Sequence, residues 1–137
     1  PGRTQSINIY EINKKLNVVD LPGYGFAKSG HSRKKDWGPL LGEYFENRKA
    51  LKAVIVFMDI RHPLKPTDLE MIELCESVEV AYVPVLTKSD KVSKNILMKT
   101  IQLVSKTTNA MEVLAISSSK ETGFEKLRKI LIGLKDD

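Results

Sequence analysis

Three short apolar runs, Ala53–Ile60, Ala81–Leu86 and Glu112–Ile116, constrain this chain more than any other feature, because a stretch of helical spacing follows each. A continuous apolar strand has no polar face, so both its faces need cover, as in a parallel sheet lying between helices. The stretches Thr67–Val78, Ser93–Thr107 and Gly123–Leu134 supply that cover. Right-handed strand–helix–strand crossovers then give a three-layer α/β domain. Pro66 suits the first turn of a helix, and Thr67 and Ser93 suit capping positions. Upstream, Ser6–Ile12 and Leu16–Leu21 flank Asn13-Lys14-Lys15, a spacing that predicts an antiparallel hairpin. A further helix is expected from Asp36 to Arg48.

Composition narrows the class. The chain has 137 residues, 42% hydrophobic and 28% charged, enough for one core in a single domain over residues 1–137. Its one cysteine, Cys75, excludes an internal disulfide and suits a reducing compartment. It falls in a helical pattern and reads as a packing thiol. No apolar stretch approaches the roughly 20 residues of a membrane span. The net charge of +5 favours a polyanionic partner.

The chemistry sits where strands end. Thr87-Lys88-Ser89-Asp90 closes the run Ala81–Leu86, at the sheet edge where open α/β folds bind ligands. There the Asp90 carboxylate can accept two hydrogen bonds from guanine N1–H and the exocyclic amine, a donor pair that adenine lacks. The Lys88 stem can lie along the base face. Asn17–Asp20 is an apolar strand ending in Asp, followed by Leu21-Pro22-Gly23; such an Asp can hold Mg²⁺ through water, and Gly23 can bring its N–H close to a phosphate. Thr4 offers a hydroxyl for the same ion. Ser117-Ser118-Ser119 ends another apolar strand, and its small side chains let backbone N–H groups approach a purine carbonyl.

On these residues the chain resembles the EngB (YihA/YsxC) family of small GTPases. The matching segments are Pro1–Gln5, Asp20–Ala27, Trp37-Gly38, Asp59–Pro63, Thr87–Asp90 and Ser117-Ser118. The resemblance implies a three-layer Ras-like P-loop GTPase fold, mostly parallel, with one antiparallel edge hairpin. It implies GTP binding by Thr4, Asp20, Leu21, Pro22, Gly23, Thr87, Lys88, Asp90, Ser117, Ser118 and Ser119. Thr4 and Asp20 would hold Mg²⁺, Asp20 through water. Lys88 and Asp90 would read guanine while Thr87 steadies the loop, and the Ser118 N–H would reach guanine O6. GTP and GDP are the implied ligands, with a monovalent cation as a further cofactor. A cytoplasmic monomer that assists assembly of the large ribosomal subunit, through its rRNA, and normal septation is the implied role.

Two departures stand out. No Gly-x4-Gly-Lys-Ser/Thr loop occurs in these residues, and the chain begins with Pro inside a family motif. The expectation is that the first strand, the phosphate loop and the first helix, about 50–60 residues, lie outside it. The isolated chain is then expected to bind GTP weakly or not at all. Tyr24 stands where Ras-like enzymes place a water-orienting Gln, which implies slow intrinsic hydrolysis. Residues 24–36 read as a nucleotide-sensitive switch. They carry His31 and the basic group Lys28, Arg33, Lys34 and Lys35, a candidate RNA contact whose alternative is a solvated basic loop.

Two other classes stay open at this stage. Asp59 at a strand end, with Asp20 and Thr87-Lys88, would suit a receiver-like phosphorylation domain, which leaves Lys-x-Asp and Ser117-Ser118 without a role. A non-hydrolysing ribosome- or RNA-binding module would keep the fold without catalysis. His62, Trp37 and Tyr44 read as structural.

Overall fold

The computed structural model describes residues 8–12, 16–20 and 52–134. Strands β1 (Asn8–Ile12) and β2 (Leu16–Asp20) form the expected antiparallel hairpin, with Tyr10 opposite Val18. Strands β3 (Val54–Asp59), β4 (Tyr82–Thr87) and β5 (Leu114–Ala115) form a parallel sheet in the order β3-β4-β5. Helices α1 (Pro66–Ser77), α2 (Lys94–Thr107) and α3 (Phe124–Leu134) follow the three parallel strands in turn. The break between the two described sheets falls between β2 and β3, where the resemblance implies a further strand. The expected helix over residues 36–48 and the switch over 24–36 lie outside the described residues.

Alternation along β3 decides the layering. Val54, Val56 and Met58 are buried in one cluster with Met71, Ile72 and Cys75 of α1 and Val104 of α2. On the other face Val85, Leu114 and Ile116 pack with Leu127 of α3, and Ile55 and Val83 border them. Successive strand residues point to opposite faces, so one sheet serves both cores. Phe57 lies in the second parity and is half exposed, at the strand that pairs with β4 alone among the described residues. Among the described residues, β3 is therefore less completely covered than its apolar sequence predicts.

Local chemistry sets the element ends. Ser93 caps α2 as expected, its hydroxyl accepting the Ile96 N–H at 3.2 Å. Thr67 does not cap α1. Pro66 takes the first helical position, which its fixed φ favours, so the cap moves back to Lys65. The Asp68 carboxylate accepts the Lys65 N–H at 3.0 Å, an acid in the first turn where the helix dipole favours it. Thr67 is instead buried.

The strand expected over Glu112–Ile116 shortens to Leu114–Ala115, and Pro84 accounts for the loss at its amino end. In β4 the odd residues bond to β3, as Thr87 C=O does to Ile60 N–H, while Leu86 C=O faces β5 and accepts the Ile116 N–H. Pro84 has the same parity as Leu86 and has no N–H to donate. The β4–β5 ladder therefore begins only at Val85 and Leu114.

Candidate functional site

The carboxyl ends of β4 and β5 are locked together. The Ile116 N–H donates to Leu86 C=O at 2.8 Å, and the Ser89 N–H donates to Ile116 C=O at 3.0 Å. These two bonds hold the loop after β4 against the loop after β5. Lys88 begins a single 3₁₀ turn over Ser89–Lys91 and takes a left-handed conformation, φ 59°. Such a backbone is uncommon for a residue with a side chain and persists where its surroundings impose it. The reversal it makes carries Asp90 towards the second loop. Thr87 Oγ1 donates to Met58 C=O at 3.3 Å, tying the start of the turn back to β3.

Asp90 meets the serines there. Ser117 Oγ donates to Asp90 Oδ1 at 2.6 Å and Ser119 Oγ donates to Oδ2 at 3.1 Å. Ser117 is 1% exposed, and its hydroxyl also accepts the Lys120 N–H at 3.2 Å. The loop Ser117–Thr122 closes on itself through the Ser117–Thr122 bridge. Gly123 then turns with φ +84°, where a Cβ would stand 2.1 Å from the Ala115 carbonyl oxygen. Only glycine fits that approach. The Ser117 hydroxyl, ahead of Ser119, holds the Asp90 carboxyl below its ordinary value, against the opposing effect of partial burial. Each carboxylate oxygen thus takes one serine hydroxyl, with the Asp90 backbone N–H bonding the same group and Lys91 Nζ 4.0 Å from Oδ2.

A second charged group adjoins the first. Asp59, at the end of β3, accepts Arg61 Nε on Oδ1 at 3.1 Å and Arg61 Nη2 on Oδ2 at 2.8 Å, and it also accepts the Arg61 backbone N–H at 2.9 Å. Lys88 Nζ lies 3.3 Å from the same Oδ2. The Arg61 side chain, chiefly, holds the Asp59 carboxyl below the usual carboxylate range, with its backbone N–H and Lys88 adding to it and burial opposing. Asp59, a possible phosphoacceptor by its place at a strand end, is thus an ion-pair partner instead. The pairing follows from the parallel register, in which Asp59 stands opposite Thr87 and so beside Lys88.

Of the residues expected to bind nucleotide, Thr87, Lys88, Asp90, Ser117, Ser118 and Ser119 converge on this one edge. Ser118 and Ser119 are exposed, and Ser118 C=O accepts the Glu121 N–H. Asp20 closes β2. Thr4, Leu21, Pro22 and Gly23, and the basic residues Lys28, Arg33, Lys34 and Lys35, lie outside the described residues. Among the described residues no group of three or more His, Cys, Asp or Glu could hold a metal, and no helix is long and apolar enough to cross a membrane.

The profile of the family described as 50S ribosome-binding GTPase matches residues 1–88. The chain belongs to that family. Within it the relatives are EngB proteins. The chain is 44% identical over 135 residues to the probable GTP-binding protein EngB of Shewanella baltica strain OS185, covering 96% of this chain and 62% of that protein. The EngB protein of Shewanella putrefaciens is likewise 44% identical over the same share of each chain. This chain thus spans less than two thirds of the length of the curated relatives it matches.

Solved structures agree on the fold. A crystal structure of a probable GTP-binding protein EngB superposes with a TM-score of 0.76 at 16% identity, covering 95% of this chain and 79% of that one. Translation elongation factor SelB of Methanococcus maripaludis, in its apo form, gives 0.71 at 14% identity, over 98% of this chain and 29% of that one. The Ras-like α/β fold expected of a 50S ribosome-binding GTPase is the one this chain adopts.

Proposed function

We propose that the edge formed by Lys88, Asp90 and Ser117–Ser119 is the guanine-reading side of a GTP site, and that the full-length protein binds and hydrolyses GTP. The observation that carries this reading is the Asp90 carboxylate at the strand edge, oriented by one serine hydroxyl on each oxygen. Two parallel acceptors match guanine N1–H and the exocyclic amine, while adenine presents an acceptor at N1. Ser118, between the two serines that hold Asp90, is suited to meet guanine O6 through its N–H. Thr87 steadies the turn, and the Asp20–Gly23 segment and Thr4 take the phosphate side by resemblance.

Mg²⁺ is held by one or two protein oxygens together with substrate phosphates. Asp20 at the end of β2, through water, and the Thr4 hydroxyl would be the donors of that chemistry here. The ion would supply charge neutralisation at the phosphates. What the described residues do is bind and orient the base, which fixes where the phosphates lie. A monovalent cation is a further candidate on the phosphate side. The large ribosomal subunit and its rRNA are the proposed partners, with the basic segment Lys28–Lys35 as contact, and cytoplasmic assembly work linked to septation is the proposed role.

The receiver-like alternative loses its basis. A phosphoacceptor needs an open carboxylate beside a metal-binding acidic pair, whereas Asp59 is engaged by the Arg61 fork and by Lys88. The test of the favoured reading is competitive titration of the full-length protein with GTP, GDP and ATP. Guanine nucleotides should displace a labelled GDP while ATP does not; equal displacement by ATP would overturn it.

A further inference from the structure

The proposed base site uses Lys88 and Asp90 but gives no task to Asp59 and Arg61. Their geometry is specific. Lys88 has a long side chain with four rotatable bonds, and 56% of it is exposed. Left free, it would have to be ordered when a ligand arrives, which weakens binding. Its ammonium is instead anchored 3.3 Å from Asp59 Oδ2, and that carboxylate is 18% exposed and held by the bidentate Arg61 fork. The backbone of Lys88 is also restrained, by its left-handed turn between the Thr87–Met58 and Ser89–Ile116 hydrogen bonds.

We infer that Asp59 is a positioning residue for nucleotide binding, which fixes the Lys88 ammonium so that the methylene stem is presented ready-ordered to the face of the base. Arg61 acts one step further back by fixing the Asp59 carboxylate. The order of constraint runs from Arg61 to Asp59 to Lys88. The inference rests on the reading of the Lys88–Asp90 turn as a guanine site. It makes the start of the β3–α1 loop part of base binding, although that loop carries no base-reading group. Because the effect is on the base face, it is blind to the γ-phosphate, and GDP and GTP feel it equally.

The test is a double-mutant cycle in the full-length protein, with fluorescently labelled GDP and GTP as probes. Lys88→Met keeps an apolar stem without the charge. Asp59→Asn should weaken both nucleotides by the same factor, about threefold to fivefold for a partly exposed pair. It should weaken neither further once Lys88 is Met. Arg61→Gln, which leaves Asp59 in place but loosens it, should act in the same direction and also fall silent beside Lys88→Met. That second variant carries the test if Asp59→Asn does not fold. Unchanged affinity in both variants overturns the inference, as does a loss that persists in full with Lys88→Met, which would mark a purely structural role. If wild type itself shows no preference for guanine nucleotides, the site reading falls as well. Wild-type binding with silent variants overturns the positioning role alone.

Discussion

Ser117 Oγ donates to Asp90 Oδ1 at 2.6 Å, joining two loops 27 residues apart in the chain at the carboxyl ends of β4 and β5. The bond makes the candidate base reader a property of two strands rather than of one tetrapeptide. Ser117 is almost fully buried, so its hydroxyl has a fixed direction, and Asp90 takes its orientation from it.

Ser117→Ala should therefore disturb base recognition although Ser117 is not aimed at solvent. The variant frees one carboxylate oxygen and leaves the Lys120 N–H without this acceptor. Affinity of the full-length protein for GDP should fall about tenfold, the worth of one hydrogen bond to a charged group. Ser119→Ala, which removes an exposed and longer bond, should have the smaller effect. Isothermal titration of both variants checks the order, and a larger loss for Ser119→Ala would contradict it.

Gly123→Ala should destabilise the fold. The residue combines φ +84° with a Cβ position 2.1 Å from the Ala115 carbonyl oxygen, a backbone atom at the end of β5. Strain of this kind costs at least about 2 kcal/mol. Urea denaturation gives the comparison, and Gly133→Ala is the control, because a Cβ there meets nothing within 4 Å. Similar midpoints for the two variants would refute the account of the turn.

Acid should weaken the fold progressively through Asp59 and Asp90. Arg61 holds the Asp59 carboxyl below its ordinary value, and Ser117 does the same for Asp90. A carboxyl whose folded pKa is depressed contributes stability above its unfolded value, about 3.9 for Asp, and loses it as pH falls through the folded value. Stability should thus begin to decline below about pH 4, and Asp59→Asn should flatten that decline. Denaturation midpoints across the acid range decide it; an identical slope in the variant would contradict the assignment.

Cys75 should be inert in the folded protein. It is fully buried in the core between β3 and α1, and burial, with Glu76 adding to it, pushes its thiol up to about 12. The thiolate is the reactive form, so a disulfide reagent should label Cys75 only at the rate at which the core opens. Rapid labelling under native conditions would place the thiol elsewhere.

The parallel strands, the three described helices and the convergence of Lys88, Asp90 and Ser117 could be read from apolar runs and from residues at strand ends. Those signals are local, and the physics behind them is too. The Ser93 cap was legible for the same reason. Thr67 was misread because Pro66 beside it claims the first helical position, a competition that a capping preference alone does not rank. The late start of β5 is not legible because it depends on which side of β4 the Pro84 nitrogen faces. The Asp59–Lys88 pair was missed because it depends on strand register across 29 residues. Register is set by packing on both faces of the sheet, which no single segment encodes.

The central claim is that the Asp90 carboxylate selects guanine, and Asp90→Asn tests it most directly. An amide keeps one acceptor for N1–H but presents a donor where the guanine amine donates; xanthine carries a carbonyl at that position and fits the amide. In the full-length protein the variant should bind GDP at least about 100-fold more weakly and should bind xanthosine diphosphate more tightly than GDP. Unchanged GDP affinity in a folded Asp90→Asn variant would contradict the account.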